Sequence, residues 1–201
     1  MVLKNKLNIK NQLILRKTEE KISKQKAKEL FESGKINKIK IGPFSGLAQI
    51  HKFLFEDIYD FAGKIRGVNL AKGNFRFAPL MYLKQSLKYI DKMPQKTFDQ
   101  IIEKYVEMNI AHPFLEGNGR ATRIWLDLML KKELKKVIDW NLVNKEDYLA
   151  AMERSVVKDI EIKQLLSAAL TDKINERTIF MNGIDISYYY EGYNEFKIEE
   201  L

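Results

Sequence analysis

Apolar residues recur along most of this chain at steps of three and four, the period of a helix with one buried face. Thr18 followed by Glu19 and Glu20, with Gly34 as a stop, predicts a helix over 19–33. Leu47, Ile50, Leu54, Ile58 and Phe61 share one face of a second helix that stops near Gly63. Pro79, well suited to a first helical position, opens a third helix carrying Leu80, Leu83, Leu87 and Ile90 on one side. A fourth runs from Thr97 with Phe98, Ile101, Ile102, Tyr105 and Val106 at helical spacing. It ends at His112, because a residue preceding proline is pushed out of the α region. Ala121, Ile124, Trp125, Leu128 and Met129 mark a helix beginning at about Gly119 or Arg120, and a long helical region follows from Asn144.

The period shortens to two in two places. Val68 and Leu70 alternate, "AKGN" supplies turn chemistry, and Phe75 and Phe77 alternate again, the pattern of a hairpin within 64–78. A short β-like piece is predicted at 178–186. Together these imply an all-α fold with one small hairpin, a single domain over 1–201. Its core spans roughly 45–170, with a helical extension over 1–44 and a C-terminal segment at 178–201.

With 201 residues, 45% of them apolar, the chain can bury a real core. It has no cysteine, which excludes a disulfide framework and thiolate metal sites. The opening "MVLKNKLNIKNQLILRK" interrupts its apolar residues every few positions, so it is neither a signal-peptide core nor a membrane span, and a cytoplasmic location is expected. The net charge of +8 favours anionic partners, yet acids interleave with the lysines and no nucleic-acid motif accompanies them, which argues against DNA or RNA.

One run stands apart: "AHPFLEGNGRATR", Ala111 to Arg123. Arg120 and Arg123 fall in the first turn of a helix, whose N-terminus already carries partial positive charge, so each is disfavoured there by about 0.3–1 kcal/mol unless an anion compensates. The glycines ahead of them let backbone amides converge, and arginines, amides and a helix N-terminus together describe a polyphosphate site. Glu116 suits Mg²⁺ held jointly by a carboxylate and phosphates. His112 can accept a proton near neutral pH.

"HPFLEGNGR" resembles the signature of the Fic family, H-P-F-x-[D/E]-G-N-G-R, often extended by x-x-R, and every position from His112 through Arg123 matches. "LFEDIYDFAGKIR" and "NLAKGNFRFAP" resemble the family's approach to its hairpin and the hairpin itself. The resemblance implies a helical bundle with a hairpin flap that transfers AMP from ATP to a protein Ser, Thr or Tyr hydroxyl. By position, His112 is implied as general base and Glu116 as the Mg²⁺ carboxylate. Gly117, Asn118 and Gly119 are implied as the α-phosphate anion hole, Arg120 and Arg123 as ligands of the β- and γ-phosphates, and Phe114 as an inward anchor. Glycine at 119, where kinase-like relatives carry lysine, favours AMP transfer over γ-phosphate transfer. The flap is implied as the dock for a target protein, with Lys72 near the nucleotide.

"SYYYEG", Ser187 to Gly192, reads by itself as a turn capped by Ser187 and ended by Gly192. It also resembles the family's C-terminal inhibitory motif, [S/T]-x-x-x-E-[G/N]. That resemblance implies that Glu191 pairs with Arg123 and obstructs the γ-phosphate, and that Tyr188, Tyr189 and Tyr190 are candidates for self-modification. His51 has no chemical companion and reads as structural; Asp139 and Trp140 fix a turn, and Asp127 lies on the polar side of its helix. At this level a catalytically idle binding module, for nucleic acid or a protein partner, and a kinase remain open beside the transferase, as does self-association.

Overall fold

The computed structural model describes residues 2–73 and 75–201. Eight helices appear among them: α1 (Gln12–Glu32), α2 (Phe44–Phe55), α3 (Leu80–Lys92), α4 (Phe98–Ala111), α5 (Asn118–Leu134), α6 (Lys145–Arg154), α7 (Ile160–Ala168) and α8 (Arg177–Tyr190). Two antiparallel pairs complete the fold. In the hairpin, β1 (Ala71–Lys72) pairs with β2 (Phe75–Arg76); β3 (Val137–Ile138) pairs with β4 (Leu170–Thr171). No described helix is long and apolar enough to cross a membrane.

Helix α5 is the central element, packed against α2, α4 and α8, and its stripe Ala121, Ile124, Trp125, Leu128 and Met129 is buried as its spacing predicts. Helix α4 starts on a capping box: Thr97 Oγ1 accepts from Gln100 N while the Gln100 side chain reaches back to Thr97 N. It ends at His112 as expected, with that residue in the left-handed region at φ +48°.

Several boundaries differ from the sequence reading. Helix α1 begins seven residues earlier, because Asn11 caps it by accepting from Leu13 N and Ile14 N; Thr18 lies within it. Glu19 and Glu20 are therefore buried mid-helix acids, not exposed acids of a first turn. Helix α2 closes at Phe55, and Ile58 joins the core from the turns that follow. The hairpin is two residues deep on each side, so Val68 and Leu70 stay outside it, and Asn74 of the expected turn lies outside the described residues. Helix α5 starts at Asn118, and the region after Asn144 is two helices.

The expected β-like piece at 178–186 is α8 instead. Its buried side chains, Met181, Ile184 and Tyr188, sit at steps of three and four, so packing overrides the local alternation. Asp127 is only partly exposed: its carboxylate accepts from Ile138 N and Trp140 Nε1, both at 2.9 Å, and desolvation lifts it to about 7. Asp139 does fix a turn, accepting from Asn141 N.

Helix α8 is fastened to α1 by buried ions. Lys24 Nζ donates to Asp185 Oδ1 at 2.8 Å and to the Phe196 carbonyl at 2.6 Å, and lies 3.1 Å from Glu20 Oε1. Glu20 in turn accepts from the Glu195 and Phe196 amides, which ties the segment after α8 back to α1.

Candidate active site

The site is built where α4 ends and α5 begins. The left-handed turn at His112 and a second at Gly117, φ +78°, reverse the chain between the two helices. A Cβ at 117 would meet the Phe55 ring at 2.6 Å, so this position requires glycine for space as well as conformation. Phe114 is fully buried, as expected of an anchor. Asn118 closes the loop: its Oδ1 accepts from Phe114 N and its Nδ2 donates to Phe114 O, both at 2.8 Å. Its side chain is thus committed to the loop, and what it offers the site is its backbone. The first helical bond of α5 is Ala121 N to Gly117 O, so the amides of Asn118, Gly119 and Arg120 precede it at the helix mouth.

Two residues that the sequence left without a functional role hold this corner. His51 is fully buried and fixed as one tautomer, with Nδ1 accepting from Gly63 N at 2.9 Å and Nε2 donating to the Glu116 carbonyl at 2.8 Å. Its ring stacks on Phe114 at 3.8 Å, and burial lowers its pKa to about 4. The structural reading of His51 holds, but it does have companions. Arg66 is buried and bonds the carbonyls of Val68, Ala78, Ala111 and His112, joining both roots of the flap to the end of α4. In the sequence it closes the stretch "LFEDIYDFAGKIR", where its residue type alone suggested no role.

His112 lies under the flap, its ring stacked 3.6 Å from Phe77. Burial lowers its pKa to about 4, against the opposing pull of Glu191, so the imidazole is neutral at physiological pH. Its Nδ1 is buried and finds no hydrogen-bond partner among the described residues.

Both arginines are inside the protein. Arg120 Nη1 donates to Glu19 Oε1 at 2.5 Å and Nη2 to Glu116 Oε1 at 3.0 Å. Burial works to lower its pKa, but Glu19, the neighbouring tyrosines and Glu116 hold it well above the usual value. Arg123 donates through Nε to Ser187 Oγ at 2.7 Å, and through Nη2 to the Ser187 carbonyl at 2.9 Å and Glu191 Oε1 at 2.7 Å. The negative charge demanded in front of α5 is thus supplied from within, by Glu19, Glu116 and Glu191.

Ser187 lies in the last turn of α8 and does not cap a helix start; its hydroxyl serves Arg123. Gly192 ends α8 in the left-handed region as expected, at φ +83°. Burial would raise the Glu191 pKa, but Arg123, with Lys72 and Arg120 behind it, brings it down to about 2. Lys72 Nζ, from the flap, stands 3.8 Å from Glu191 Oε2. Tyr188 and Tyr190 are buried, Tyr190 donating to the Val143 carbonyl, whereas Tyr189 is 45% exposed.

Residues 43–130 match the model of the Fic/DOC family, so the chain carries a Fic domain over that segment. It is 30% identical over 207 residues to the protein adenylyltransferase VbhT of Bartonella schoenbuchensis, an alignment that takes in 96% of this chain and 41% of VbhT. The chain thus spans less than half the length of that relative. To the probable protein adenylyltransferase Fic of Escherichia coli K12 it is 25% identical, over 87% of this chain and 90% of that protein. The crystal structure of BepC from Bartonella tribocorum with bound AMPPNP shares the fold, with a TM-score of 0.67 at 18% identity over 85% of this chain and 93% of that one. So does the N-terminal Fic domain of an effector from Bartonella sp. AR 15-3, with a TM-score of 0.70 at 19% identity over 85% and 88%.

Proposed function

We propose that this chain is a protein adenylyltransferase that moves AMP from ATP to a Ser, Thr or Tyr hydroxyl of a target protein, and that Glu191 holds it in a low-activity state. The observation that carries the reading is the neutral, partly buried imidazole of His112 beside a helix mouth whose two arginines are each occupied by an internal carboxylate. Relatives named protein adenylyltransferases support the same chemistry.

In this reaction the target hydroxyl oxygen attacks the α-phosphorus, the α–β anhydride bond breaks, and pyrophosphate leaves. The hydroxyl proton passes to His112, which is deprotonated and close to the flap that would present the target. The amides opening α5 and the helix dipole receive the α-phosphate. Arg120 and Arg123 take the β- and γ-phosphates in exchange for their carboxylates.

Glu116 fits a Mg²⁺ that brings its own phosphate ligands. Its side chain is 42% exposed, both of its contacts fall on Oε1, and no cluster of three ligating side chains appears among the described residues. Once bound, the ion would screen charge building on the phosphates.

Glu191 occupies the cation that the γ-phosphate needs, so ATP would bind unproductively while the pair holds. Gly119 belongs to the same device, because a Cβ there would lie 2.3 Å from Glu191 Oε1 and 2.9 Å from Arg123 Nη2. A lysine of the kinase-like kind has no room beside that pair. Among the described residues the outer edge of β1 is unpaired and suits an extended target segment, with Lys72 on that exposed strand. Of the three tyrosines, Tyr189 is the one accessible for self-modification.

Incubation of the Glu191→Gly variant with Mg²⁺ and ATP labelled at the α- or the γ-phosphate tests the proposal. Label from the α-position on protein, lost in His112→Ala, is the expected result; label from the γ-position alone would mean a kinase, and none from either would mean a binding module.

A further inference from the structure

We infer that Glu19, on α1 and outside the segment matched by the family model, is the positioning residue for Arg120. The inference rests on Arg120 being a phosphate ligand, as read above. Arg120 is held from two sides of opposite character. On the inner side Nη1 meets Glu19, whose carboxylate is buried and also accepts from the hydroxyls of Tyr59 and Tyr193. The guanidinium lies 4.6 Å from the Tyr193 ring, 4.9 Å from Phe55 and 5.2 Å from Tyr188. On the outer side Nη2 meets Glu116, which reaches solvent. Nε is buried without a partner among the described residues, so the orientation of the fork rests on its two terminal nitrogens.

The two contacts should respond differently to an arriving anion. Glu116 can leave Arg120 because water or a cation will take up its charge, whereas Glu19 has no such exit and keeps its bonds. Phosphate therefore replaces Glu116 at Nη2 while Glu19 keeps the plane of the fork. Without Glu19, Glu116 would be the sole carboxylate on a buried guanidinium and would be drawn onto it. One substitution on α1 would then withdraw both a phosphate ligand and the metal carboxylate.

The test uses the 201-residue chain carrying Glu191→Gly, so that the Arg123 side is open, titrated calorimetrically with ATP, ADP and AMP in Mg²⁺ with and without Glu19→Gln. Loss of one charge-assisted contact predicts ATP and ADP binding about tenfold weaker, with AMP unchanged. In an Arg120→Gln background, Glu19→Gln should cost nothing further, which a merely structural role would not produce. If Glu19→Gln does not fold, Tyr59→Phe and Tyr193→Phe carry the test, each removing one donor from Glu19; the expected loss is roughly two- to threefold for ATP and none for AMP. Equal losses for all three nucleotides, unchanged ATP affinity in the folded variants, or a loss additive with Arg120→Gln would overturn the inference. Absence of AMP transfer would sink the proposed activity alone, since the titrations read nucleotide affinity directly.

Discussion

Arg120 and Arg123 sit one turn apart on α5, both buried and both paired, yet their partners differ in kind. Glu19 reaches Arg120 from the interior of α1 and is sealed there by two tyrosine hydroxyls. Glu191 reaches Arg123 from the residue that caps the end of α8, with its side chain 25% exposed and a left-handed glycine behind it. The same charge chemistry thus serves two purposes. A sealed carboxylate fixes a cation in place, and a partly solvated one can be exchanged for a ligand.

The largest effect lies outside this pair and sets the scale for it. His112→Ala should reduce AMP incorporation by about 10²–10⁴-fold, the usual worth of a general base, while Glu191→Gly leaves that step intact. Next comes stability: Glu19→Ala leaves Arg120 without its buried partner and should cost about 3–5 kcal/mol in urea unfolding, whereas Glu191→Ala, whose carboxylate is partly solvated, should cost less, about 1–3 kcal/mol. Equal losses would erase the distinction between fixed and exchangeable carboxylates. Glu191→Gly should raise AMP transfer on the order of tenfold, the scale of freeing one charge-assisted contact; an equal or lower rate would remove the inhibitory assignment.

Acid separates Glu191 from the histidines. His51 and His112 have folded pKa values lowered to about 4 from an ordinary 6.5, so the stability they contribute is full above pH 6.5 and is lost as pH falls toward 4. Glu191 follows lower, its contribution present above pH 4.5 and lost as pH falls toward 2. Unfolding by urea between pH 7 and 4 should show the histidine loss, and His51→Gln should flatten it. In the Glu191→Gly variant, which removes the upward pull of Glu191 on His112, the acid limb of the rate should lie at or below pH 4, well below the ordinary histidine range. The smallest effect is expected from Lys72→Ala, a change of less than about twofold in basal transfer, because its contact is long and its side chain exposed.

The fixed half of the comparison was hidden from the sequence and the exchangeable half was readable. His112 to Arg123 announces itself because glycines, acid, imidazole and arginines within one turn and a loop have few structural uses together. Glu19 stands 101 residues from Arg120, and nothing local distinguishes a carboxylate awaiting a buried arginine from one solvating a first turn. That ambiguity also misplaced the start of α1. Helix α8 was missed because Ile179, Met181, Ile184 and Ile186 are apolar on both a two-residue and a helical reading, and only packing on Trp140 and α5 decides between them. Arg66 and His51 serve backbone carbonyls, which leave no signature in residue type.

Lys24 grips Asp185 and the Phe196 carbonyl on either side of the glutamate that blocks Arg123. With both flanks riveted, the release proposed for Glu191 would take a side-chain swing of a few torsions rather than the departure of a helix. Small-angle scattering of the protein with and without Glu191→Gly should give superimposable curves.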